Sequence, residues 1–271
     1  MFKKMVLLTS VVVFSGSVNA GLFDSNDFKC GRNDTVKALT DYIKNDASGM
    51  LQSDYLTKSN FYYDKPVSVY QSMLDSMEVT IANVSTSGKG SHDLNCSATI
   101  SMKIPKDTLD VVNKIPNYLH YITGGYGKIN NNGVIWNGVA YSAKLADNNK
   151  DVIFSNFSRT DASAALFNMS VLAVNKEQII SALSQNALSS ARSAYVNADR
   201  ELNAVWKELP DSARNSLKKE QVVWVNNKVA KCGKLPDGES EKDNVQRWVD
   251  IYQCQTKMTN ERITYLTGND N

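Results

Sequence analysis

Histidine is nearly absent from this sequence: His92 and His120 are the only two in 271 residues. Neither lies near an obvious nucleophile, and neither combines with a cysteine at a spacing typical of zinc. The four cysteines, Cys30, Cys96, Cys232 and Cys254, include no CxxC pair. No GxSxG elbow, HExxH helix, P-loop or GxGxxG turn occurs, so the common catalytic and nucleotide-binding signatures are missing. The run Gly124-Gly125-Tyr126-Gly127 lacks the flanking strand and helix of a phosphate loop and reads as a turn. Glu201 with Glu208, and Asp237 with Glu239, fit a solvated helix face and a polar loop better than an acid-base pair. We therefore expect no catalytic residue, cofactor or metal, and a protein that is not an enzyme.

Long apolar runs are also missing. The stretch from Met5 to Phe14 is far shorter than the roughly 20 residues a membrane-spanning helix needs, and no longer one follows. Lys3 and Lys4 precede it, and the small residues Ser15 to Ala20 follow. This order is that of a secretory signal, with cleavage expected near Ala20 and a periplasmic or secreted product without a membrane span. Net charge is equally scarce. The formal value of +2 comes from Lys3 and Lys4, so the exported chain is neutral and lacks the basic excess of a nucleic-acid binder.

An even cysteine count in an exported chain reads as disulfides. Of the possible pairings we favour Cys30 with Cys96 and Cys232 with Cys254, which gives each half of the chain its own bridge. Each would add about 3 kcal/mol by restricting the unfolded chain.

The first half reads as α+β. Asn33 or Asp34 can cap a helix with Val36, Leu39, Ile43 and Ala47 on one face. From Leu94 to Ile104, apolar and polar residues alternate without error, predicting a half-buried strand that turns Cys96 inward. Its expected partner is Glu78 to Val84, across a loop from Ser85 to Ser91. A short helix should start at Asp107 and stop near Pro116. Further strands are expected at Val134 to Ser142, with a bulge at Gly138, at Val152 to Phe157 and at Phe167 to Val174.

Asn175 with Gln178 resembles a capping pair opening a helix. We place a domain boundary in the polar stretch after it, giving a signal at 1–20, an α+β domain at 21–184 and a helical domain at 185–271. In the latter, Ala191, Tyr195, Ala198, Leu202 and Trp206 recur at helical spacing until Pro210. Asp211 can cap a second helix carrying Ala213, Leu217, Gln221 and Trp224, which closes at Gly233. Ser240 and Asp243 approach a capping box for a third, with Val245, Trp248 or Val249, Tyr252, Thr256, Thr259, Ile263 and Leu266 on one stripe. The expectation is a small helical bundle stapled by Cys232 and Cys254, with its tryptophans in the core.

The stretches ADRELNAVWKEL from Ala198, EQVVW from Glu220, and CQTKMTNERITYL from Cys254, with Cys232 between, resemble the LprI-like family of secreted lysozyme inhibitors. Asp199, Leu202, Asn203, Gln221, Trp224, Thr259 and Arg262, with Cys232 and Cys254, occupy signature positions. Where the family usually has an arginine after the tryptophan, this chain has Asn227 and Lys228. It also lacks the further cysteines often found before the ADRELN stretch. The resemblance implies an exported binding protein whose protein partner is a lysozyme-type muramidase, blocked by occlusion of its cleft. The segment after the second helix, with Lys231 and Lys234, is the candidate inhibitory loop. The other reading is a non-inhibitory envelope immunity or assembly factor that recognises its partner through the α+β domain.

Overall fold

The computed structural model describes residues 28–58, 62–89, 93–115, 117–130, 133–158, 160–236 and 244–268. The expected signal segment, Pro116 and the Ser240 and Asp243 pair lie outside them. In chain order the elements are α1 (Asn33–Thr57), α2 (Val67–Ser76), β1 (Val79–Lys89), β2 (Leu94–Lys103), α3 (Lys106–Val112), α4 (Tyr118–Ile122), β3 (Lys128–Asn130), β4 (Gly133–Leu145), β5 (Val152–Ser158), α5 (Ala162–Val174), α6 (Lys176–Glu208), α7 (Asp211–Cys232) and α8 (Val245–Thr267). The architecture is α+β, an antiparallel sheet with helices followed by disulfide-linked helices.

Strand β2 sits inside the sheet, and its alternation does what period 2 requires. Leu94, Cys96, Ala98, Ile100 and Met102 face the core, while their neighbours face outward. It pairs with β1 on one side and β4 on the other, and β3 and β5 both pair with the far edge of β4, all antiparallel. Gly138, at φ +63°, lies where the β2–β4 register slips, the bulge expected there. One sheet face thus carries the apolar side chains, and helices cover it.

Two segments differ from expectation. Phe167 to Val174 is not a strand but the end of α5, whose buried residues include Ala165, Leu166, Met169, Val171 and Leu172. A short apolar run is compatible with either state, and here the run is buried on nearly all sides because α1, α2 and α3 pack on α5. Ser85 to Lys89, expected as loop, extends β1 and pairs as far as Lys89 with Leu94. Its hydroxyls sustain the ladder from the outside: Ser85 and Ser97 Oγ are 2.8 Å apart.

Cys30 is bridged to Cys96, Cα atoms 5.8 Å apart, so the segment entering α1 is tied to β2. The inward face of α1 is Thr35, Leu39, Ile43, Ala47 and Leu51; Val36 is only half-buried. Beyond it, Leu51, Tyr63, Tyr70 and Val171 form a satellite cluster. Asn175 stands at the N-cap of α6, where a cap was expected, but its side chain makes no cap hydrogen bond and serves that cluster instead. Its Oδ1 accepts a 2.6 Å hydrogen bond from the Tyr70 hydroxyl, and its Nδ2 donates to the Tyr62 carbonyl at 3.0 Å. The buried amide thereby has partners at both ends, which its use as a cap would forgo.

Helix α6 runs without interruption through Ser184-Gln185-Asn186, where the domain boundary was expected. Ile179 and Ile180 still pack on the sheet core, whereas Leu188, Ala191 and Tyr195 pack with Val249 and Tyr252 of α8. At its start, Lys176 forms ion pairs with Asp107 and Asp110 of α3, both at 2.9 Å.

Replacing Tyr70 by Phe removes the donor to a buried Asn175 oxygen and nothing else of its shape. It should lower stability by about 1–3 kcal/mol. Urea unfolding would show this as an earlier midpoint at unchanged slope.

Candidate functional site

Helix α7 has little apolar surface on its inner side, and Lys228 is its one fully buried residue. Ala213, Leu217, Gln221 and Trp224, the expected stripe, are half-buried, and Val222, Val223, Val225 and Val229 are exposed. Polar contacts and a covalent bond hold α7 to α8 instead. The buried Arg262 donates from Nε to Gln221 Oε1 at 2.9 Å and from Nη1 to Glu220 Oε1 at 2.5 Å. Its guanidinium also lies over the rings of Tyr265 and Trp224, at 4.7 and 5.9 Å. At the other end Cys232 is bridged to Cys254, Cα atoms 5.5 Å apart.

Gly233 ends α7 at φ +98°, and a β-carbon there would come within 3.2 Å of Ile251. Its carbonyl accepts a 2.7 Å hydrogen bond from Nε2 of the buried Gln255. The segment after α7 therefore leaves in a direction set by the disulfide, the glycine and this bond together.

Held this way, α7 stands away from α6 and leaves a groove of about 440 Å³. The α6 wall is Tyr195, Asp199, Leu202 and Asn203. Opposite stand Gln221, Trp224, Val225, Lys228 and Val229 of α7, with Gln255 behind. Lys234, Leu235 and Pro236 close one end. The lining is mixed, with Leu202, Val225, Val229 and Leu235 beside Asp199, Asn203, Gln221 and Lys228.

Lys228 lies deepest among the charges. Its Nζ is 4.9 Å from the ring centroid of Trp224 and 5.4 Å from that of Tyr195, so two aromatic faces enclose the ammonium. Burial lowers its pKa, and the Asp199 carboxylate works against that shift. Asp199 itself accepts from Asn203 Nδ2 at 3.2 Å, one helical turn on.

The structure thus brings five signature positions, Asp199, Leu202, Asn203, Gln221 and Trp224, to one groove. Thr259 and Arg262 are buried on α8 behind it, as struts: the Thr259 hydroxyl donates to the Gln255 carbonyl at 2.8 Å. Lys234 lines the groove end, but Lys231 belongs to the last turn of α7 and is not in the lining. Trp206, Trp224 and Trp248 are half-buried, with Trp248 packed against the cluster of Leu188, Ala191, Val249 and Tyr252. Gln255 carries no sequence motif that would single it out, and Lys228 stood out only as a departure from the family pattern. Glu201 and Glu208 are exposed on α6.

Replacing Arg262 by Met removes both hydrogen bonds to α7 and should cost about 2 kcal/mol. Guanidinium unfolding read by circular dichroism checks this, with a Tyr265→Phe control expected to change little.

Neither a curated protein nor a solved structure matches the chain. Residues 181–266 match the model of the family described as Lysozyme inhibitor LprI, so the C-terminal part of the chain, from near the start of α6 into the last turn of α8, is similar to that family.

Proposed function

We propose that the protein is exported and inhibits a lysozyme-type muramidase by occluding its substrate cleft, without chemistry of its own. The observation that carries this reading is the segment Gly233 to Pro236, which presents Lys234 at the end of a groove lined by signature residues. Muramidases commonly act through a pair of carboxylates, so a cation on a pre-ordered segment is complementary to them. The Cys232–Cys254 bridge and the Gln255 bond to Gly233 limit the ordering cost that a loose loop would incur on binding. The match over residues 181–266 supports an inhibitor-like, protein-binding role in the C-terminal helices.

Lys231 and Lys234 are separable in this reading. Lys234→Ala should weaken inhibition about tenfold, and Lys231→Ala should leave it unchanged. Both should keep stability within about 0.5 kcal/mol, since exposed charges contribute little. A lysis assay on cell-wall suspensions with purified lysozyme measures the first quantity and thermal unfolding the second. Unchanged inhibition by Lys234→Ala would remove the segment from the mechanism.

The helical part is also proposed to act alone. A fragment from residue 185 keeps Leu188, Ala191, Ala198 and Leu202, the buried positions of α6. It should fold by circular dichroism and retain inhibition. A folded but inert fragment, alongside an active full chain, would move the inhibitory surface to the α+β half. No inhibition by either would favour the envelope immunity or assembly reading.

A further inference from the structure

The ammonium of Lys228 is in an unusual position for a charge. The residue is only 5% exposed, yet it lines an open groove. It has three N–H donors. Among the described residues its one acceptor is the Thr259 hydroxyl, at 3.5 Å, the outer limit of a hydrogen bond. Asp199 forms no ion pair with it within 4 Å and instead takes the Asn203 amide. The Trp224 and Tyr195 rings offset part of the cost of burial but do not supply the missing acceptors. Buried charges are normally paired, but Asp199, the carboxylate lining this groove, acts on Lys228 only through space, so the ammonium keeps N–H donors without an acceptor among the described residues.

We propose that this groove receives an Asp or Glu side chain carried on an apolar segment of a partner protein, with the Lys228 ammonium as its receptor. The proposal deepens the inhibitory reading and rests on it for the partner, though not for the chemistry recognised. A carboxylate entering here meets a largely buried cation, whose field is less screened than that of a surface lysine. It also supplies the acceptor that Lys228 lacks. Leu202, Val225, Val229 and Leu235 offer apolar contact to flanking residues. A volume of about 440 Å³ far exceeds a carboxyl group alone. Val222, 57% exposed, shares a face of α7 with Val225 and Val229 and continues their apolar surface beyond the groove. These features favour a protein segment over a free small acid.

The test uses the full exported chain, wild type, Lys228→Met and Lys228→Arg. Met keeps the apolar stem and removes the charge. Its affinity for purified lysozyme, by calorimetry, should fall about 30-fold or more, because one member of a buried charge pair is gone. Its thermal stability should hold or rise, because an uncompensated buried charge is removed. Lys228→Arg should retain most of the affinity. Loss of stability with unchanged affinity in Lys228→Met would mean a structural role and overturn the proposal.

A second measurement stands apart from lysozyme. The Nζ resonance of Lys228 is followed by NMR during titration with acetyl-Val-Glu-Val amide, its glutamine counterpart, and acetate. The glutamate peptide should shift the resonance at lower concentration than acetate, and the glutamine peptide should leave it in place. If the wild type ignores lysozyme but the peptides behave so, the inhibitory reading fails and the carboxylate receptor stands. Equal responses to the two peptides, or acetate binding as tightly as the glutamate peptide, would overturn it.

Discussion

Helix α7 cannot be held by apolar burial, and the shape of the C-terminal half follows from what holds it instead. Arg262 grips it at Glu220 and Gln221, and the Cys232–Cys254 bridge fixes its end. These attachments join α7 to α8 and not to α6. A helix packed by a continuous apolar stripe would settle against both neighbours, as bundle helices do. Held to α6, among the described residues, only by Arg214, whose Nη1 donates to the Lys207 carbonyl at 3.0 Å, and by Lys228 against the Tyr195 ring, α7 leaves the space that becomes the groove. The buried polar residues of α8, Gln255, Thr259 and Arg262, are therefore part of how the groove is made, and not imperfections in a core.

The α+β half follows the opposite rule. Its sheet has one apolar face, and the helices over it bury that face in the ordinary way, with α5 enclosed as a central element. Polar groups enter this core in paired fashion, as Asn175 does between Tyr70 and Tyr62, and Thr108 does in donating to the Met169 carbonyl at 2.8 Å. The pairing is not complete in either half: among the described residues Trp136 Nε1 and Tyr141 OH are buried without a hydrogen-bond partner in the first, as is Arg262 Nη2 in the second.

Much of the fold was legible because it rests on period and punctuation. The strict alternation in β2, the break at Pro210 and the glycine closing α7 at Gly233 act within a few residues of chain, so local pattern suffices. Phe167 to Val174 was misread because an apolar run buried on nearly all sides has no period to expose. Ser85 to Lys89 was misread because serine and glycine signal loops, whereas strand pairing there is imposed by β2. The polar stretch around Gln185 does not interrupt α6, since polar residues on an exposed helix face do not end a helix. In the site, the signature residues were recognisable, but their convergence was not. Asp199 and Lys228 are 29 positions apart, and nothing in either neighbourhood says that one groove contains both. That Lys228 is buried with a single long hydrogen bond and no ion pair among the described residues is a property of three-dimensional surroundings, which spacing cannot express.

Helix α6 contains neither glycine nor proline between Lys176 and Glu208, the residues at which helices most often kink. At its usual rise, it carries Tyr195 about 30 Å along its axis from Lys176, close to the width of a small domain. Since Lys176 is anchored on α3, the helix works as a rigid spacer between sheet and groove. Ile180 still packs on the sheet core, so a molecule seated beside Tyr195 lies about 22 Å further along the helix axis, four turns beyond that contact.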